Sequence, residues 1–255
     1  MKHWIFALCL LCTLSEGILD VAQRYLGIPY VAGTLETEGT ERLVINEDSL
    51  DCTTFVEYTV ARWLSKKNED LTMEQWTELL RYRNRVVNGY LSRLHYFTDW
   101  VAENTHRGVW YEVTPEDESL IWYTDTLTLS FMSEHPQSYP YLKEHAWAVD
   151  SMRNIEQRYA HHPVHYIGKE HLGLPREQLP ITDGDILALV TTIEGLDVTH
   201  LGFAVWKGET LHLMHASMTH GKVVIDERPL YDYLKMRRSC PGIRVVRVRS
   251  QELSF

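Results

Sequence analysis

Three residues of this 255-residue chain have the chemistry for covalent hydrolysis: a cysteine and two histidines. Cys52 stands in Leu50-Asp51-Cys52-Thr53-Thr54-Phe55-Val56-Glu57, His200 in Thr199-His200-Leu201-Gly202 and His215 in Met214-His215-Ala216-Ser217. A thiol attacks a carbonyl at neutral pH only where its anion is stabilised, and a helix N-terminus or a nearby imidazole does this. At the first position of a helix the sulfur would lie beside unpaired backbone N–H groups, which can also receive the oxyanion of acyl transfer. His200 would take the thiol proton and return it to the leaving amine, while His215 held the His200 ring in the required tautomer. Spacing alone leaves other readings open. A lone cysteine is a small hydrophobe, and thirteen histidines make chance pairings easy. His212 is a second candidate for the third position. His161-His162-Pro163-Val164-His165 has the look of a metal tract but lacks the spacing of a zinc peptidase, and a surface loop is the reading preferred.

The elements that must position these groups are legible from periodicity and caps. Asp51 is a good N-cap, and Phe55, Val56, Thr59, Val60, Trp63 and Leu64 form a helical stripe, so a helix is expected from Cys52. Ile18 to Leu26 reads as a short helix ended by Gly27-Ile28-Pro29-Tyr30. Thr72 and Gln75 form a capping box for a helix to about Arg85. Tyr90 to Asn104 is amphipathic, Val109 to Val113 has strand character, and Tyr141 to Tyr159 is helical until Pro163 stops it. After Pro180 the pattern becomes that of strands: Ile186 to Val190, Leu201 to Trp206, Leu211 to Met214, Val223 to Ile225 and Ile243 to Val248. Lys207-Gly208-Glu209 reads as a hairpin turn and Pro229 to Arg237 as a helical interruption. Adjacent antiparallel strands can bring His200 and His215 within hydrogen-bond reach. Helices first and a meandering sheet second make the class α+β, with residues of about 66–176 inserted between the cysteine helix and the sheet.

The formal charge of −10 argues against nucleic acid as a partner, because phosphate binding needs a basic surface. Residues 1–15 resemble an export leader: a weakly basic start and an apolar run, Ile5 to Leu14, too short to span a bilayer. The expected location is therefore periplasmic or secreted, with no stable membrane insertion. Loss of the leader would remove Cys9 and Cys12, leaving Cys52 and Cys240, too few for a disulfide framework. The oligomeric state is left open.

Together these residues resemble the NlpC/P60 superfamily of cysteine peptidases and amidases. Gly27-Ile28-Pro29-Tyr30 with Gly33 resembles its opening element, Asp51-Cys52 its nucleophile motif, Gly184-Asp185-Ile186 its strand entry, and His200-Leu201-Gly202-Phe203-Ala204 its histidine strand. One branch is closer still, the DUF1460 family of N-acetylmuramoyl-L-alanine amidase-like proteins. Pro29 to Glu36, Asp51 to Glu57, Tyr90-Leu91-Ser92-Arg93-Leu94-His95-Tyr96-Phe97, Phe131-Met132-Ser133, Gly195 to His200 and His215-Ala216-Ser217 are similar to its signatures, in order along nearly all of the chain after the leader. The resemblance implies a papain-like core, with an N-terminal nucleophile helix packed on an antiparallel sheet, carrying a mostly helical insertion. It implies hydrolysis of the bond between N-acetylmuramic acid and L-alanine in small peptidoglycan fragments with an anhydro-muramyl end, with no metal or cofactor. Cys52 would be the nucleophile, His200 the base and His215 the orienting residue. Tyr30, Asp51, Arg93, Tyr96 and Thr199 would lie on the substrate side. Cys52-Thr53-Thr54 departs from the superfamily's Cys-Ser-Gly, and the aromatic-Gly-Gly element is reduced to Ala32-Gly33. The rivals are an endopeptidase cutting between D-Glu and the diamino acid and a non-catalytic binder of wall fragments.

Overall fold

The computed structural model describes residues 16–36, 39–68, 70–116 and 120–249. The segment read as a leader lies outside them. Eight helices and eight strands follow in chain order among the described residues: α1 (Ile18–Gln23), α2 (Cys52–Lys67), α3 (Met73–Arg81), α4 (Phe97–His106), β1 (Trp110–Val113), β2 (Trp122–Leu127), α5 (Phe131–Glu134), α6 (Pro140–Glu144), α7 (Ala146–Glu156), β3 (His162–Gly168), β4 (Ile186–Val190), β5 (Val198–Lys207), β6 (Thr210–Ser217), β7 (Lys222–Ile225), α8 (Leu230–Lys235) and β8 (Gly242–Val248). The strands form one antiparallel sheet in the order β2-β3-β8-β4-β5-β6-β7, with β1 also on β8.

The sheet is covered on both faces, which is why β4 is an unbroken apolar run rather than an alternating one. Ile186 and Ala188 face one core with Phe203, Met214 and the helices α1 to α4. Leu187 and Leu189 face a second core with Ala204, Trp206 and α8. Phe55 of α2 meets Phe203 of β5 edge-to-face at 5.5 Å between ring centroids, locking the cysteine helix onto the central strands. A buried ion pair adds to this: Arg81 Nε donates to Glu57 at 2.8 Å, and Arg81 Nη1 to the Val44 carbonyl at 2.7 Å.

The residues between α2 and β4, expected to be mostly helical with a strand at Val109 to Val113, supply β2 and β3 to the common sheet as well as β1. Pro163 does not end a helix; it lies in β3 opposite Thr126 of β2, on a stretch flanked by that strand alone, where its missing N–H removes no second ladder bond. The amphipathic stretch from Tyr90 is also divided. A single turn, Tyr90–Ser92, gives way to extended backbone at Arg93, and Leu94 N–H donates to the Arg81 carbonyl before α4 begins at Phe97.

Candidate active site

Cys52 is the first residue of α2, as its cap requires. The Asp51 carboxylate accepts from Thr54 N–H at 2.8 Å and from the Thr54 hydroxyl at 2.9 Å, and the Thr54 hydroxyl oxygen accepts from Asp51 N–H. The Phe55 N–H donates to the Asp51 carbonyl. Of the four N–H groups that open the helix, that of Cys52 is turned to its own sulfur, and that of Thr53 is left to face an oxyanion beside it. Asp51 is thus occupied as a cap, and no contact of its carboxylate points to a ligand.

His200 lies on β5 and His215 on β6, and Gly202 lets them meet. A Cβ at Gly202 would stand 2.6 Å from the Met214 carbonyl oxygen and 3.0 Å from His215 Cβ. The two rings cross edge-to-face, 4.8 Å between centroids, and His200 Nε2 lies 2.6 Å from His215 Nδ1. His200 Nδ1 has no partner among the described residues. A cavity of about 140 Å³ is lined by Cys52, Thr53, Thr199 and His200 on its polar side, and by Leu94, Phe97, Trp100, Leu196 and Val198 on its apolar side.

Burial pushes the Cys52 thiol up to about 11, with the Asp51 carboxylate adding to the rise; the N–H groups of Leu201 and Cys52 and the Thr53 hydroxyl pull against it. Burial, then the charge of a protonated His215, depresses His200 to about 3. The resting pair at neutral pH is therefore thiol and neutral imidazole. The helix start softens the cost of the thiolate without overcoming desolvation.

Asp226, missed in the sequence, stands behind the histidines. It follows β7 and places Oδ2 3.8 Å from His215 Nε2, both side chains almost wholly buried. Burial depresses His215 to about 4, and the Asp226 carboxylate opposes that fall. Asp226 is itself fixed by Arg228, whose Nε and Nη2 donate at 3.0 and 2.8 Å. Geometry assigns the protons. If His200 Nδ1 is to accept from the thiol, Nε2 carries hydrogen and donates to His215 Nδ1, so His215 Nε2–H faces the carboxylate. β6 pairs His215 with Val224 of β7, and Asp226 lies two residues farther on, just past the end of that strand.

The substrate-side residues divide. Thr199 lines the cavity. The Tyr30 hydroxyl is pushed up by burial and by the Cys52 and Asp51 charges, but Tyr30 is not among the residues that line the cavity. Tyr96 contributes its ring to the wall, but its hydroxyl is engaged, donating to Glu156 at 2.6 Å and accepting from Met132 N–H at 2.7 Å. Arg93 is not in this cavity; it pairs with Glu36 at 3.1 Å and Glu41 at 3.2 Å beside a separate hollow. From this segment Leu94, His95, Tyr96 and Phe97 line the cavity. His212 lies away from the pair, with Nδ1 against the Asp226 carbonyl. His162 and His165 sit on β3, His165 Nδ1 against the Thr124 hydroxyl. Cys52 and Cys240 are both free.

The structure therefore sets a thiol at a helix start, and a histidine pair on the adjoining strands, around one cavity. The chain belongs to the AmiA-like family, N-acetylmuramoyl-L-alanine amidase-like, whose model matches residues 20–243. It is similar to an N-acetylmuramoyl-L-alanine amidase from Bacteroides uniformis, with 42% identity and a TM-score of 0.84 over 91% of this chain and 97% of that one. A Bacteroides fragilis protein described as a candidate xylanase shares 39% identity and a TM-score of 0.83 over 90% of this chain and 100% of its own. A Legionella pneumophila protein of the DUF1460 family, at 21% identity and a TM-score of 0.69 over 91% and 87%, shares the fold. No match is found among curated proteins.

Proposed function

We propose that this protein is a cysteine amidase of the NlpC/P60 type, with a papain-like core, that hydrolyses the N-acetylmuramoyl-L-alanine bond of peptidoglycan fragments. The observation that carries the reading is the cavity shared by Cys52 and His200, with His200 Nε2 held 2.6 Å from His215 Nδ1. Family membership and the similar Bacteroides uniformis amidase support the bond cleaved.

Cys52 Sγ attacks the lactyl carbonyl carbon as its proton passes to His200 Nδ1. The oxyanion is received by the N–H groups at the start of α2, that of Thr53 first among them. The C–N bond then breaks, the nitrogen takes the proton from His200, and the peptide amine leaves. Water attacks the muramyl thioester with His200 again as base, which releases the muramic carboxylate and restores the thiol. His215 and Asp226 stabilise the imidazolium that forms in each half-reaction. The leader-like N-terminus and a wall-derived substrate are consistent with action outside the cytoplasm.

Xylan hydrolysis fits this site less well. Glycosidases of that kind need two carboxyl groups flanking the bond. Asp197 is the single carboxylate in the cavity lining, and both its oxygens accept backbone N–H bonds, from Thr98 at 2.7 Å and Val198 at 2.8 Å. The test is product mass from defined muropeptides with the wild type and Cys52→Ala. Free stem peptide from the wild type alone supports the proposal. Equal release by both proteins refutes the nucleophile, a cut after D-Glu moves the reading to an endopeptidase, and loss of activity on chelation moves it to a metal enzyme.

A further inference from the structure

One nitrogen in the Cys52 cavity is not used by the chemistry above. His95 lines the same wall as Leu94 and Phe97. Its Nε2 lies 2.9 Å from the Tyr90 carbonyl oxygen. A carbonyl cannot donate, so Nε2 carries the hydrogen. Burial and the nearby Arg93 charge depress the ring to about 3, so it is neutral at any working pH. A neutral imidazole protonated on Nε2 has a bare lone pair on Nδ1. That atom has no partner among the described residues and is not among the sealed polar atoms that lack one, so it opens onto the cavity the residue lines. The ring is also held in place. It packs 4.3 Å from the Tyr90 ring, which stacks in turn on Tyr141 at 4.5 Å.

We propose that His95 Nδ1 accepts the N–H of the scissile amide and so makes the site selective for amides over esters. The inference rests on the amidase reading. Size narrows which donor it can meet: at about 30 Å³ per water-sized group, a cavity of about 140 Å³ has room for four or five such groups, enough for the reacting amide and its immediate substituents. Chemistry limits it further. The other carboxylate or carbonyl-like acceptor in the lining, Asp197, is already engaged by two backbone N–H groups. Holding the N–H on His95 leaves the nitrogen lone pair, which forms as the carbonyl becomes tetrahedral, for the proton on His200. An ester oxygen in the same place would set lone pair against lone pair. A site built around a hydrogen bond rejects the analogue that lacks it more strongly than an apolar pocket can.

The test uses two substrates, a muramyl peptide and its depsipeptide analogue with lactate replacing L-alanine, and two variants, His95→Leu and His95→Asn. His95→Leu should lower kcat/KM on the amide at least tenfold and leave the ester within twofold. His95→Asn, whose side-chain oxygen can stand near the Nδ1 position, should recover part of the loss. Iodoacetamide labelling of Cys52 should proceed at the wild-type rate in both, which separates loss of positioning from damage to the nucleophile. Equal losses on amide and ester, or none on either, would overturn the proposal. Binding to Cys52→Ala with and without His95→Leu reads the contact without turnover: weaker binding of the amide alone supports it even if the wild type cleaves neither substrate, an outcome that would count against the amidase reading only.

Discussion

Replacing Asp226 by Asn tests whether the buried carboxylate assists the reaction or only completes a fold. Asn keeps the shape and an oxygen for Arg228 but removes the charge. The carboxylate lies 3.8 Å from His215 Nε2 and the histidine ring centroids are 4.8 Å apart, so a charge spread over the His200 ring lies up to about 10 Å from it. At an effective dielectric of about 20, two unit charges at that separation attract by roughly 2 kcal/mol. That stabilisation exists only once the imidazolium has formed, so it enters the barrier and not the ground state. The expected loss in kcat/KM is about 20- to 30-fold, with little change in KM if binding precedes chemistry. Arg228→Gln is the control: this arginine is 52% exposed, and its loss leaves the carboxylate in place. It should cost under about twofold. The assay is initial rate on a muramyl peptide from pH 5 to 8, with thermal melts to confirm folding. A folded Asp226→Asn within twofold of the wild type across that range would refute the charge argument.

Three further outcomes follow from the same groups. Burial depresses His95, His200 and His215 to about 3, 3 and 4. Their neutral forms therefore stabilise the fold above the unfolded value near 6.5, and this is lost as pH falls towards 4, at up to about 1.4 kcal/mol per pH unit for each; urea melts at pH 7, 6 and 5 should show it, with a shallower slope in His95→Asn. The Cys52 thiol has the opposite sign: pushed up to about 11, it favours the fold below pH 9 and ceases to do so between 9 and 11, so Cys52→Ala should flatten the alkaline limb of a stability curve. Glu57→Gln leaves the Arg81 guanidinium, 1% exposed, without its counter-charge and should destabilise by about 3–5 kcal/mol in denaturant melts.

How much of this was legible in the chain depended on the range of the interactions involved. Asp51 and Thr54 are three residues apart, so the start of the cysteine helix could be read locally, and α2 begins at Cys52. The strands from β4 to β8 were legible for the same reason, each an apolar run bounded by turn residues. The pairing of His200 with His215 needed only one hairpin, and β5 and β6 supply it. What failed was what required knowing which surfaces face each other. Tyr96 and Arg93 have the side chains expected of ligand contacts, yet Glu156, 60 positions away, and Glu41, 52 away, claim them. Asp226 was passed over because nothing in Val223-Val224-Ile225-Asp226 reveals that β7 lies beside β6. The thiol's environment was misjudged for a related reason. A helix N-terminus is visible in sequence, while the burial that outweighs it is a property of the assembled core. That imbalance has a mechanistic consequence. On the proposed mechanism, with the thiol at about 11 and His200 at about 3, a thiolate–imidazolium pair is high in energy at rest. The oxyanion, the imidazolium and Asp226 can offset that cost only together, once substrate fills the cavity, so the reactive anion forms where an amide is present to receive it.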